Sequence, residues 1–121
     1  MSVRTVLVVD DSPTERFFLT DILRKHGYEV LNASSGEEGV AKAKAERPDL
    51  ILMDVVMPGL NGFQATRMLS RDAETQSIPV IMCTTKDQET DRIWGMRQGA
   101  VEYMVKPIVA EDLIARIKAL G

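Results

Sequence analysis

A chain of 121 residues, 45% hydrophobic and 27% charged, is sized and balanced for one folded domain over residues 1–121 that buries a core without disulfides. A net charge of −3, with basic residues scattered among acids, argues against gripping nucleic acid through its phosphates. One cysteine excludes a disulfide framework, the N-terminus lacks a signal peptide's layout, and no run approaches the roughly 18 apolar residues of a membrane span, so the cytoplasm is the expected location.

Val6–Val9 opens the chain as a short continuous apolar run, suited to a strand buried on both faces of a parallel sheet. Ser12-Pro13-Thr14-Glu15 joins an N-cap serine, proline at the first helical position and a capping-box glutamate. That predicts a helix with Phe18, Leu19, Ile22 and Leu23 on its inner face and Gly27 as its stop. His26, the only histidine, reads as a helix-end residue. Tyr28–Ala33 is a weaker second strand, and Ser35-Gly36-Glu37-Glu38 is a second capping box whose helix must end before Pro48. Leu50–Met53 is the third strand, with a helix following Gly62.

Val80–Cys83 is the fourth strand, in which Cys83 reads as a buried thiol. The next helix runs from about Gln88 to Gln98 and stops at Gly99; its Trp94 is either core packing or a docking residue. Tyr103–Val105 is a weaker fifth strand, and a helix from about Ala110 to Leu120 sets Leu113, Ile114, Ile117 and Leu120 on one face. Met53, Met82 and Met104 fall in strands and read as core. Strand then helix, repeated five times, is a (βα)₅ pattern. Right-handed crossovers put helices on both faces of a parallel sheet, so the expected fold is a doubly wound α/β domain.

In open α/β sheets, ligands bind beyond the carboxyl ends of the strands. Asp10-Asp11 ends the first strand, Asp54 the third, Thr84-Thr85 the fourth and Lys106-Pro107 the fifth. Taken singly, each has a duller role: turn and cap acids, a solvated strand stop, a surface lysine, a β-branched strand end. Together they gather three carboxylates, hydroxyls and an ammonium on one rim. Two carboxylates about 4 Å apart repel by roughly 4 kcal/mol at an effective dielectric near 20. Such a group needs a cation or raised pKa values, and an all-oxygen set without Cys or His favours Mg²⁺ over zinc. Asp54 then suits an in-line nucleophile for phosphoryl transfer.

Four stretches carry a resemblance that covers essentially the whole chain in order. They are Val6–Ser12, Leu52–Gly62 with its Met57-Pro58-Gly59, Pro79–Thr84 and Tyr103–Pro107. In these the chain resembles the receiver domain of two-component response regulators. The resemblance implies a five-stranded sheet in the order 2-1-3-4-5. It implies Asp54 as phospho-acceptor, Asp11 as a direct Mg²⁺ ligand, Asp10 as a second acid acting through water, and Val56 lending the metal its backbone carbonyl. Lys106 would pair with phosphoryl oxygens, its bond to Pro107 cis. Thr84 would hydrogen-bond the phosphoryl group and shift toward it, with Tyr103 moving in concert.

Within that family, Asp11–Glu15, Met57–Thr66 and Thr84–Gly95 are similar to the stand-alone regulators of bacterial twitching motility, of the PilH type. This implies a monomeric receiver without an output domain, not an enzyme in the turnover sense. A histidine kinase or phosphotransfer domain would load it, and a downstream motility or signalling protein would read it. Rival readings are a phosphate sink, a phosphorylation-independent adaptor, or a small Mg²⁺-dependent phosphatase. Fast-decaying relatives tend to carry polar groups two residues after the acceptor and two after the switch hydroxyl. Here those positions hold Val56 and Lys86, so slow loss of the phosphoryl group is expected.

Overall fold

The computed structural model describes residues 2–121. Its elements alternate as β1 (Thr5–Val9), α1 (Pro13–Lys25), β2 (Glu29–Ala33), α2 (Gly36–Glu46) and β3 (Leu50–Met53), followed by α3 (Gly62–Arg71), β4 (Val80–Thr84), α4 (Glu89–Gln98), β5 (Glu102–Val105) and α5 (Ala110–Ala119). The five strands pair in parallel in the order β2-β1-β3-β4-β5, as the resemblance implied.

Alternation along β1 sorts the core into two layers. Val6 and Val8 pack with Leu19, Ile22 and Leu23 of α1 and Leu113, Ile114 and Ile117 of α5. Leu7 and Val9 face the other way, against Val40 and Ala43 of α2 and Ala65 and Leu69 of α3. Met53, Met82 and Met104 are buried as expected. The cover under α4 is thinner: Val55, Met82, Ala100 and Tyr103, with Phe63 alongside. On α4 itself only Gly95 and Gln98 are buried, and Gly95 lies so close to the Tyr103 ring that an added Cβ would sit 3.0 Å from it.

Helix boundaries follow the cap chemistry. The Ser12 side chain accepts the Glu15 N–H, Ser35 that of Glu38, and Asn61 forms a complete capping box with Gln64. Gly27 and Gly99 take positive φ, as stops do. Three expectations change in detail. Phe18 is 42% exposed rather than on the inner face, because Leu19, Ile22 and Leu23 already fill the layer against β1 and β3. Glu15 does not complete its capping box, because the Ser12 N–H it would accept is held by Asp10 Oδ1 at 2.9 Å. Glu38 reaches one residue further back, taking the N–H and hydroxyl of Ser34.

Candidate functional site

Register brings the acids together. Val9 pairs with Met53, so the next residue of each strand, Asp10 and Asp54, emerges side by side at the carboxyl edge. Backbone bonds fix both: Asp54 N–H donates to Val9 O at 2.9 Å and Asp10 N–H to Ala33 O at 3.1 Å. The loop leaving Asp54 is pinned by α3, where Gly62 N–H donates to Val55 O at 2.9 Å. A Cβ at Gly62 would fall 2.0 Å from Asp54 O, so only glycine lets the helix start press this closely on the acid's own backbone.

Asp10 and Asp54 are 1% and 6% exposed, while Asp11 opens to solvent. One carboxylate oxygen from each of the three lies within 4.8 Å of the others. Lys106, on the segment leaving β5, reaches into this cluster. Its Nζ donates to Asp10 Oδ2 at 2.8 Å and stands 3.7 Å from Asp54 Oδ1. The Lys106–Pro107 bond is cis. Arg16 adds a second cation from α1, its Nη1 donating to the Asp10 carbonyl at 2.7 Å.

One lysine does not neutralise three acids. Burial first, then repulsion from Asp10, pushes the Asp54 carboxyl up to about 6, against the pull of Lys106 and a 2.9 Å hydrogen bond from Val55 N–H. Burial works against the Lys106 charge, yet the Asp10 hydrogen bond and the fields of Asp54, Asp10 and Glu15 prevail and raise its pKa. Hard oxygen donors with surplus negative charge, one of them facing solvent, fit a small divalent cation that keeps several waters.

Thr84 ends the adjacent strand β4 fully buried, its hydroxyl accepting the Lys86 N–H at 3.2 Å. The Lys86 carbonyl accepts the Tyr103 hydroxyl at 2.8 Å, so a short chain of bonds runs from Thr84 to β5. Val56 lies in the loop after Asp54 with its side chain 56% exposed. Asp10, Asp11, Asp54 and Lys106 thus converge as the strand ends implied, with Thr84 and Val56 on the flanking segments.

Glu15 was missed as a neighbour of this site; its Oε2 lies 3.8 Å from Lys106 Nζ. The signal was present but spoke for a cap. Residues read as bystanders stay so: His26 Nδ1 contacts Ile22 O at the helix end, and the Cys83 thiol, wholly buried, is pushed up to about 12. Trp94 is 47% exposed, which removes the core-packing alternative.

Comparison with known proteins is consistent along the whole chain. A family model described as the response regulator receiver domain matches residues 6–118. The chain is similar to protein PilH of Pseudomonas aeruginosa, 61% identical over 115 residues and 95% of each chain. It also matches transcriptional regulatory proteins, PhoP of Bacillus subtilis at 39% identity among them, and spans about half their length, 48% for PhoP. Among solved structures, chemotaxis protein CheY4 of Vibrio cholerae superposes with a TM-score of 0.91 at 32% identity, covering 99% of this chain and 100% of that one. The CheX–CheY–BeF3–Mg²⁺ complex from Borrelia burgdorferi gives a TM-score of 0.91 at 27% identity, covering 97% and 88%.

Proposed function

The chain belongs to the response regulator receiver domain family, and on that footing we propose that Asp54 accepts a phosphoryl group and that the resulting charge is read by partner proteins in the control of twitching motility. The observation that carries the reading is Asp54 itself: a buried carboxylate with a pKa near 6, between a repelling acid and an ammonium. It is ionised, hence nucleophilic, above that pH, and its field is unbalanced enough to welcome cationic help.

In the transfer, an Asp54 carboxylate oxygen forms a bond to phosphorus while the donor's P–N bond breaks, and the departing imidazole takes up a proton. Mg²⁺, held by Asp10, Asp11, Asp54 and the Val56 carbonyl, would supply charge neutralisation for the phosphoryl oxygens. Lys106 offers its ammonium to those oxygens. Thr84 offers its hydroxyl, and a shift of that side chain toward the phosphoryl group would draw its oxygen away from the Lys86 N–H it accepts and loosen the link to Tyr103. That couples the site to the surface near α4 and β5, where Ile93, Trp94, Val101 and Val105 are 40–47% exposed. A downstream protein docking there is the expected reader, and a histidine kinase or phosphotransfer domain the expected donor.

Two further supports are likenesses. The relative at 61% identity is PilH, and the Borrelia neighbour was crystallised with BeF3 and Mg²⁺. No described helix is long and apolar enough to cross a membrane, which accords with a cytoplasmic site of action. The direct test is intact mass spectrometry with acetyl phosphate, with and without Mg²⁺. The expected result is one added phosphoryl mass, mapped to Asp54 and dependent on Mg²⁺; refusal of every donor at saturating Mg²⁺ overturns the reading. For motility, a phosphotransfer domain from a twitching-motility kinase should load Asp54 faster than one from an unrelated kinase.

A further inference from the structure

Glu15 stands in the first turn of α1, and its carboxylate caps no backbone N–H there. Its Oε2 is buried and has no hydrogen-bond partner. Buried polar atoms are rarely left in that state, and one beside a functional cluster calls for a reason. The cap it was shaped for is closed to it, since Asp10 Oδ1 holds the Ser12 N–H. Nor does it belong to the group of acids able to share a cation, which is Asp10, Asp11 and Asp54. What it faces is Lys106, 3.8 Å from Oε2.

Lys106 therefore sits among three carboxylates, at 2.8 Å from Asp10, 3.7 Å from Asp54 and 3.8 Å from Glu15. Only the first contact is at full hydrogen-bond length. We propose that Glu15 is a positioning residue that holds the Lys106 ammonium back and so slows phosphoryl loading of Asp54. The inference rests on Asp54 being the acceptor. To pair with phosphoryl oxygens, the ammonium must leave its place among these acids, and the incoming group competes with Glu15 for the same charge. The Glu15 carboxylate also repels an anionic donor outright. Both effects act in one direction: a lower rate of loading by weak donors, leaving the unphosphorylated state favoured until a matched partner arrives.

Glu15→Gln keeps the side chain's size and removes its charge. Loading by acetyl phosphate at saturating Mg²⁺, followed by intact mass spectrometry, should be about three- to tenfold faster than in the parent at low ionic strength, the scale of a unit charge acting across several ångströms near a surface. In about 1 M salt the part of that gain due to repulsion of the donor should shrink, while the part due to the buried Oε2–Lys106 contact persists, because buried pairs are screened little. Glu15→Asp, which retains the charge, should load within about twofold of the parent on the same electrostatic scale. Equal or slower loading of the Gln variant at low salt overturns the inference and leaves Asp54 as acceptor untouched. So does an Asp variant as fast as the Gln one, since that marks a packing effect. A parent that takes up no phosphoryl group removes the acceptor reading, and this inference with it.

Discussion

Asp49 and Asp54 bracket the four residues of β3, one before the strand and one after it. Asp49 is exposed, and its Oδ2 accepts the N–H groups of Arg4 and Thr5, each at 3.0 Å. Asp54 is 6% exposed, accepts one N–H from Val55 and looks onto Asp10. The difference follows from the polarity of a parallel sheet. Its amino edge presents free N–H groups that an acid satisfies, whereas its carboxyl edge presents carbonyls that do nothing for one. An acid at the first edge is structural and at home. At the second it is strained by its surroundings and available for chemistry.

The sharpest way to break this contrast is to neutralise each acid in turn. Asp54→Asn should abolish phosphoryl uptake altogether and, in metal-free protein at pH 7, raise stability by up to about 3 kcal/mol. The sign follows from a folded-state pKa raised from 3.8 to about 6. As pH climbs through that window the unfolded chain releases the proton first, so stability is lost between about pH 4 and 6. Urea denaturation of chelator-treated protein across that range should show the loss in the parent and a flatter profile in Asp54→Asn. Equal slopes would place the unfavourable charge elsewhere.

Mg²⁺ should act on one aspartate and ignore the other. At a hundredfold excess over its Kd, a single bound ion stabilises the folded state by about 2.7 kcal/mol. Thermal unfolding should show that gain in the parent and in Asp49→Ala, and little of it in Asp54→Asn. Asp49→Ala should instead cost about 1 kcal/mol, measured by urea denaturation, because two backbone N–H groups lose a charged acceptor yet can turn to water. Its phosphoryl uptake should match the parent's. A stabilised Asp49→Ala would contradict the reading of that acid as satisfied.

This asymmetry explains what could be read in the sequence. Strands and helices were legible because the apolar runs are continuous and Ser12, Ser35, Gly27 and Gly99 punctuate them; the strand ends then delivered Asp10, Asp54 and Lys106 to one rim. Partner choice was not legible. Ser12-Pro13-Thr14-Glu15 fits a capping box as a string, but Asp10, two residues before Ser12, takes its N–H in a local Asx-type contact. Phe18 continues the helical period of Leu19 and Ile22, and its exposure depends on how much of the face β1 and β3 leave open. Both misreadings concern competition for one partner or one face, which a pattern of residue types does not rank.

The smallest effect concerns how long a phosphorylated Asp54 lasts. Hydrolysis needs a water aimed at phosphorus, and a polar side chain at the loop mouth is what aims it. Val56 stands there, 56% exposed and without donor or acceptor. Lys86 is turned away: its Nζ lies 3.8 Å from Asp91 Oδ1 on α4, while its backbone is occupied by Thr84 and Tyr103. The loaded protein should therefore decay over minutes or longer once donor is removed, as followed by intact mass spectrometry. Val56→Asn combined with Lys86→Glu should shorten the half-life by about tenfold, equivalent to roughly 1.4 kcal/mol of barrier. A parent that decays within seconds, free of phosphatase, would mean that some other group positions the water. Asp10, Asp11 and Lys106 are the polar side chains then left beside Asp54, and the distinction between the two ends of β3 would need a second catalytic element at the carboxyl edge.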